Sequence, residues 1–134
     1  MRVRLAALLL ALAVAPAATG AAALPFKAKL HGATHAPKVN TKWFYSVRVT
    51  NLAGKPIRAR LTVQVKDPLG GVYPVQFGPT TKNITNWPFK GVFRDYVIWP
   101  PSSKLATPLG GLVFRVFVVA DGKRTLLRYR VKPR

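Results

Sequence analysis

Residues 43–50 read WFYSVRVT, and this stretch decides the fold class. Its odd-numbered positions are all large and apolar, whereas its even-numbered positions include a serine, an arginine and a threonine. A strict period of two places one set of side chains on the buried face of a β-strand and the other set towards solvent. Residues 43–50 are therefore predicted to form a half-buried strand.

The same alternation continues after a turn. Residues 51–56, NLAGKP, have the composition of a turn, and residues 57–66, IRARLTVQVK, again alternate apolar with basic or polar side chains. A short strand follows that carries Tyr73, Val75 and Phe77. Pro74 places this short strand at a sheet edge, because proline has no N–H group to donate to a neighbouring strand.

The stretch between residues 78 and 99 is harder to assign. Residues 78–88 have no regular pattern, and residues 91–99 form a strand that Pro100-Pro101 ends. Two sets of residues alternate along this strand: Phe93, Val97 and Trp99, or Val92, Tyr96 and Ile98. Because either set could face the core, the sequence leaves the orientation of the strand open.

Three further strands complete the expected fold. Residues 112–120 and 125–131 flank Asp121-Gly122, which is a strong hairpin signal, and a first strand lies around residues 26–30. Residues 24–134 contain no stretch with helical periodicity. About seven short strands with regular turn signals predict an all-β fold that forms a single domain, either a sandwich or a barrel.

The central hairpin also resembles a known group of proteins. WFYSVRVTN at residues 43–51, GKP at 54–56 and ARLTV at 59–63 are similar to a hairpin of exported bacterial immunoglobulin-like and fibronectin type III-like modules. The resemblance implies an immunoglobulin-like β-sandwich and a cell-surface context, and it transfers no functional residue. In the immunoglobulin arrangement the third strand pairs in one sheet with the last two strands.

Residues 1–23 have the order of a secretory signal peptide. Arg2 and Arg4 precede an apolar run at residues 5–14, and Ala21-Ala22-Ala23 offers a cleavage site. The apolar run has ten residues, whereas a membrane-spanning helix needs roughly 20. We therefore expect residues 24–134 to be secreted, into the extracellular space or the cell envelope, with no transmembrane segment after processing.

The charge balance indicates the class of partner. The chain has 22 Lys and Arg residues against three Asp and no Glu, and without Arg2 and Arg4 the net charge is +17. A field of this sign attracts polyanions. Outside the cell the candidate anionic partners are wall polymers, acidic polysaccharide, anionic lipid headgroups and extracellular nucleic acid. The chain also has no cysteine, so the exported domain must be held together by packing rather than by disulfides.

Residues for catalysis or metal binding are scarce. Asp67 and Asp121 occupy turn positions, and Asp95, within a strand, is expected to pair with an arginine. His31 and His35 are expected to be an exposed loop pair, which makes an incomplete metal site without cysteine or a methionine beyond Met1. We therefore predict that the protein is not an enzyme and binds neither a cofactor nor a metal.

The outward positions of three strands give the main candidate binding site. If the third strand pairs with the last two, one sheet face presents a set of basic residues: Arg58, Arg60, Arg115, Arg128, Arg130 and Lys132. Such a face would bind a polyanion by charge attraction and by arginine hydrogen bonds to phosphate or carboxylate groups. The other sheet is expected to offer Arg48 and little comparable.

Two alternative functions use other residues. Trp87, Phe89 and Trp99 lie beside prolines, so they could form an exposed aromatic surface of a carbohydrate-binding module, or they could fill the open ends of the sandwich. In the second alternative the protein is an interaction subunit whose edge strand, at residues 73–77, adds to a sheet of a partner.

Overall fold

The structure, a computed structural model, describes residues 23–101 and 111–134, and in these ranges it has eight strands. They are β1 (Phe26–Gly32), β2 (Lys42–Asn51), β3 (Arg58–Lys66), β4 (Val72–Pro74), β5 (Trp87–Lys90), β6 (Val92–Ile98), β7 (Leu112–Ala120) and β8 (Lys123–Val131). The predicted all-β class is confirmed. The signal peptide expected at residues 1–23 lies, except for its last residue, outside the described part of the chain. None of the described residues belongs to a helix that is long and apolar enough to cross a membrane.

The strands form two antiparallel sheets. Sheet 1 has the order β1-β2-β6, and sheet 2 has the order β4-β3-β7-β8. The short strands β4 and β5 share one edge of β3, because β4 pairs with residues 64–66 and β5 pairs with residues 58–61. The expected pairing of the third strand with the last two strands is therefore confirmed, and Pro74 lies in an edge strand as predicted.

The inner faces of the two sheets share one hydrophobic core. The Phe114 ring of β7 lies 5.2 Å from the Trp43 ring and 4.7 Å from the Tyr45 ring of β2, measured between centroids. The alternating positions of β2 and β3 are buried, as their period of two predicts. Burial of one large apolar side chain stabilises the fold by about 1.5–3 kcal/mol. This arrangement is compatible with a β-sandwich.

The region that was hardest to assign contains an additional strand. Residues 87–90 form β5, although the sequence predicted an irregular stretch up to residue 88. Gly91, with a positive φ of 74°, separates β5 from β6. In β6 the side chains of Phe93 and Val97 face the core, whereas Val92 and Ile98 are exposed, so the first of the two possible orientations is correct.

The β7–β8 hairpin turns at the predicted position. Asp121 and Gly122 both have positive φ values, 48° and 70°. A two-residue hairpin with positive φ at both central residues is a type I′ turn, for which Asp-Gly is a favoured sequence. The pairing starts immediately on both sides, at Ala120 and Lys123, so β8 begins two residues earlier than the sequence suggested.

Candidate functional site

The outer face of sheet 2 collects the predicted basic residues. In one row across β3, β7 and β8, Gln64, Arg115 and Arg128 lie directly opposite one another. Opposite side chains of antiparallel strands have Cβ atoms about 4.5–5.5 Å apart. The neighbouring row on one side holds Lys66, Val113 and Arg130. On the other side the first row holds Thr62, Phe117 and Leu126, and the second holds Arg60, Val119 and Arg124. Five of the six predicted residues, including Arg58 at one end, therefore lie on this face. The sixth, Lys132, is exposed and comes directly after the end of β8.

Sequence reasoning missed two cations of this face. Arg124 was not assigned to a strand, although the two-residue turn at Asp121-Gly122 requires β8 to begin at residue 123. Lys90 belongs to β5 and lies directly opposite Arg58. Its strand was hidden in the sequence because Pro88 interrupts the pattern of hydrogen-bond donors.

Three guanidinium groups of the face are held by neighbouring groups. Arg115 Nη2 donates a hydrogen bond of 2.9 Å to Gln64 Oε1, and Arg60 Nη1 donates one of 3.1 Å to the main-chain oxygen of Asn86. The guanidinium carbon of Arg124 lies 4.1 Å from the centroid of the Phe117 ring, and that of Arg115 lies 5.5 Å from it. Cations at such distances from an aromatic ring are attracted to its face. The arginines are therefore partly ordered before any ligand arrives.

Like charges face each other directly on this surface. Arg115 lies opposite Arg128, and Arg58 lies opposite Lys90. Like charges in opposite positions of neighbouring strands are destabilising. The fold keeps these pairs together, so an anion that binds between them would relieve their repulsion.

Asp67 acts as a turn-forming residue, as predicted. Its Oδ1 accepts hydrogen bonds from the main-chain N–H groups of Leu69 and Gly71 at 2.9 and 2.8 Å, and its Oδ2 accepts one from the Tyr73 hydroxyl at 2.8 Å. The Tyr73 hydrogen bond, together with those from the main chain, holds the pKa of Asp67 below its ordinary value. This carboxylate is therefore committed to the turn after β3.

Among the residues that the structure describes, no arginine pairs with Asp95, although the sequence suggested such a pair. Its side chain is buried on the inner face of β6, where the Gly78 N–H donates to both carboxylate oxygens at 3.1 and 3.2 Å and the Tyr45 hydroxyl lies 3.5 Å away. Burial raises the pKa of Asp95. Burial, with the nearby charge of Asp95, also raises the pKa of Tyr45. The carboxylate connects β6 to the segment after β4, and the expectation of an Arg–Asp pair was wrong.

The outer face of sheet 1 is also basic, which corrects the expectation that it offers little beyond Arg48. Its cations among the described residues are Lys27, Lys29, Lys42, Arg48 and Arg94. Lys29 lies opposite Arg48, and the face also exposes Phe44 by 59% and Ile98 by 52%. The lysines of β1 were missed because the ragged pattern of residues 26–30 did not show which side faces outward.

The three aromatic residues of the carbohydrate alternative do not form one exposed surface. Trp99 is only 1% exposed, and its ring meets that of Trp43 edge-on at 5.6 Å. Trp87 stacks on Phe77 with 4.8 Å between centroids, and Phe89 is half-buried against the core. Trp99 thus packs inside the core, and the Trp87 and Phe89 rings of β5 pack against Phe77 and Phe93.

The edge at residues 73–77 is largely occupied by the chain itself. Beyond the three-residue strand β4, the Val75 N–H donates to the Val63 oxygen at 3.2 Å, and the Ile84 N–H donates to the Val75 oxygen at 2.8 Å. The Phe77 N–H donates to the Lys82 oxygen at 2.9 Å. Few main-chain groups of this edge are left to pair with the strand of a partner.

The two histidines lie in different settings. His31 is exposed on the outer face of β1, so it belongs to a strand rather than to a loop. The ring of His35 stacks on that of Tyr129 with 4.1 Å between centroids, and His35 Nδ1 lies 2.6 Å from the Arg130 oxygen. Within residues 23–101 and 111–134, no three His, Cys, Asp or Glu side chains are grouped so that they could hold a metal ion.

Comparisons with known proteins assign no family to the chain. Comparison with family models, with curated proteins and with solved structures finds no match. The charges on the two sheets and the register that arranges them are therefore the basis for proposing a function.

Proposed function

We propose that this chain is an exported, non-catalytic binding module that docks on anionic polymers of the cell envelope or the extracellular space through the outer face of sheet 2. One observation carries this proposal: the register of β5, β3, β7 and β8 lines up cations on one face. Among the described residues these cations are Arg58, Arg60, Lys66, Lys90, Arg115, Arg124, Arg128 and Arg130.

The same proposal includes an immunoglobulin-like fold. In that fold one sheet joins the third strand to the last two, and β3 has this position beside β7 and β8. The order of residues 1–23, with a basic start, an apolar run and small residues, supports export. Wall polymers, acidic polysaccharide and extracellular nucleic acid are the anionic polymers found in that compartment.

The mechanism uses charge and hydrogen-bond geometry together. A guanidinium group presents a planar fork of N–H donors that matches phosphate and carboxylate oxygens. Docking of a polyanion releases its condensed counterions, so the affinity falls as the salt concentration rises. No catalytic step is included, because Asp67 and Asp95 are occupied by turn and core hydrogen bonds.

A charge-matched comparison of the two faces tests the proposal, with a random-sequence DNA duplex as the probe polyanion. Changing Arg60, Arg115 and Arg128 together to serine should weaken binding by about 100-fold, since one cation near an anionic surface contributes about 1 kcal/mol. The slope of log affinity against log salt should fall by about 3. The melting temperature should change by only a few degrees, because loss of the Arg115–Gln64 hydrogen bond and relief of the repulsion between Arg115 and Arg128 act in opposite directions.

The matched control removes the same charge from sheet 1. Changing Lys27, Lys29 and Arg48 together to serine should weaken binding much less than the sheet 2 variant does. Equal losses from the two variants would overturn the proposal, because net charge alone would then account for the attraction. Binding that does not respond to salt would also contradict it.

A further inference from the structure

A groove lies at one end of the sheet 2 face, where β5, β3 and the β7–β8 hairpin meet. Its volume is about 530 Å³, and Arg58, Arg60 and Lys90 line it. Pro88 and Val119 lie on either side of Arg60, because both pair directly with it. Pockets that hold small molecules have volumes of roughly 300–1,000 Å³. The groove is therefore large enough for a sugar-sized unit and combines cationic with apolar walls.

One acidic residue, Asp121, lines the same groove. Asp121 lies in the hairpin turn, two residues after Val119, which pairs with Arg60 at the end of the β3–β7 ladder. A carboxylate at this position weakens the attraction for any purely anionic ligand. The turn does not require it, because asparagine is equally favoured before glycine in a type I′ turn. A carboxylate does, however, accept hydrogen bonds from hydroxyl groups.

The walls of the groove are held in place before a ligand binds. The Asn86 N–H donates to Thr62 Oγ1 at 3.1 Å, and the Gly91 N–H donates to the Ile57 oxygen at 3.0 Å, so both ends of β5 are tied to β3 or to the residue before it. A Cβ atom added at Gly91 would lie 2.7 Å from Pro56 Cβ, so only glycine fits there. A pre-formed site loses less entropy on binding.

We propose that this groove is a subsite for an acidic sugar unit, that is, a ring with one carboxylate or phosphate group and several hydroxyl groups. The anionic group binds between Arg58 and Lys90, a hydroxyl group donates to Asp121, and the C–H face of the ring packs on Val119 and Pro88. This inference rests on the proposed function and narrows its ligand to an acidic polysaccharide or a sugar-containing wall polymer. Nucleic acid is then a probe and not the preferred polymer.

The variant Asp121→Asn separates this subsite from simple charge attraction. The substitution raises the net charge by one and preserves the turn, so a groove that recognises only charge would bind every anion at least as tightly as before. Titration with trigalacturonate, which has carboxylates and hydroxyls, should show affinity about fivefold weaker, because the asparagine amide oxygen accepts a weaker hydrogen bond from a hydroxyl group than the charged carboxylate does, by about 1 kcal/mol. Titration with tripolyphosphate, which has no sugar ring, should show unchanged or tighter binding.

Two arginine variants locate the site on the face. Arg58→Ser, inside the groove, should weaken binding of trigalacturonate more than Arg130→Ser, which removes the same charge from the far rows of the face. The subsite would be overturned if the Asp121→Asn variant bound both trigalacturonate and tripolyphosphate more tightly, or if its affinity for both were unchanged. If the DNA duplex still binds in a salt-dependent way in that case, the proposed function stands and only the subsite fails. If neither the duplex nor the short probes bind, both proposals fail.

Discussion

The outer faces of the two sheets are both basic, but they differ in the kind of cation and in how it is held. On sheet 2, six of the eight cations among the described residues are arginines, and Gln64, Asn86 and Phe117 hold three of them. On sheet 1, three of the five are lysines, with Phe44 and Ile98 exposed among them. Both faces attract anions, but only ordered guanidinium groups can recognise an anionic group by its geometry.

Exchange of arginine for lysine should show this difference most clearly. Changing Arg60, Arg115 and Arg128 together to lysine keeps the charge but removes the two-pronged hydrogen bonds and the contact with Gln64. We expect affinity for the DNA duplex to fall by about tenfold, which corresponds to roughly one charge-assisted hydrogen bond. Titration at a fixed salt concentration measures the change.

The control for this exchange lies on sheet 1. Changing Arg48 and Arg94 to lysine should alter the affinity by less than about twofold, because no described residue holds either guanidinium group by a hydrogen bond or an aromatic contact, so that they contribute charge alone. A sheet 2 variant that binds as tightly as the parent protein would show that the hydrogen-bond geometry of the arginines is irrelevant. The two faces would then differ only in the number of their charges.

The two faces also differ in how far the sequence could predict them. The strict alternation of residues 57–66 fixed the outward side of β3, and the Asp121-Gly122 turn placed β7 beside β8. The basic face of sheet 2 followed from these two local signals and one rule of strand order. Local periodicity suffices where a strand is long and its two sides differ strongly in polarity.

The features that the sequence did not reveal depend on contacts between distant segments. Lys90 joins the sheet 2 face only because β5 pairs with β3, and Pro88 conceals that strand. Asp95 faces inward because Tyr45 and Gly78, from other parts of the chain, supply its hydrogen-bond donors. A carboxylate in an arginine-rich sequence suggests an ion pair, and only the tertiary structure shows that the core surrounds it.

Each sheet also has its own buried carboxylate, and the two should respond to pH in opposite ways. The depressed pKa of Asp67, which follows β3, stabilises the fold above the unfolded value of about 4, and this contribution is lost as the pH falls through the folded pKa. The raised pKa of Asp95 in β6 has the opposite effect. Stability falls as the pH rises from about 4 through the folded pKa of Asp95, and does not change further above it.

Asparagine substitutions separate these two contributions. At neutral pH we expect Asp67→Asn to lower the melting temperature and Asp95→Asn to raise it by a few degrees, because the second change removes a buried charge and keeps an acceptor for the Gly78 N–H. The difference for Asp95→Asn should shrink as the pH falls from the folded pKa of Asp95 to about 4, whereas the difference for Asp67→Asn should shrink as the pH falls below about 4. Thermal melts followed by circular dichroism measure them. A lower melting temperature for Asp95→Asn at neutral pH would mean that the ionised carboxylate stabilises the core.

The smallest expected effect concerns the like-charged pairs that lie opposite each other on both faces. Changing Arg128 to glutamine removes the repulsion with Arg115, and changing Lys29 to glutamine removes that with Arg48. Each change should stabilise the fold by about 0.2–1 kcal/mol in denaturant titrations at low salt, and the gain should vanish at high salt because screening removes the repulsion.

The gain should be larger on sheet 2, because Arg115 is half-buried and therefore less screened by salt than the exposed Lys29. Arg94→Gln is the control, because the residue opposite Arg94 is the uncharged Ser46. The stability of this variant should stay within about 0.2 kcal/mol of that of the parent protein.

Arg128→Gln should at the same time weaken polyanion binding. A substitution that stabilises the fold while reducing binding indicates that the arginine is retained for its ligand. A loss of stability in Arg128→Gln would instead mean that Arg128 supports the sheet.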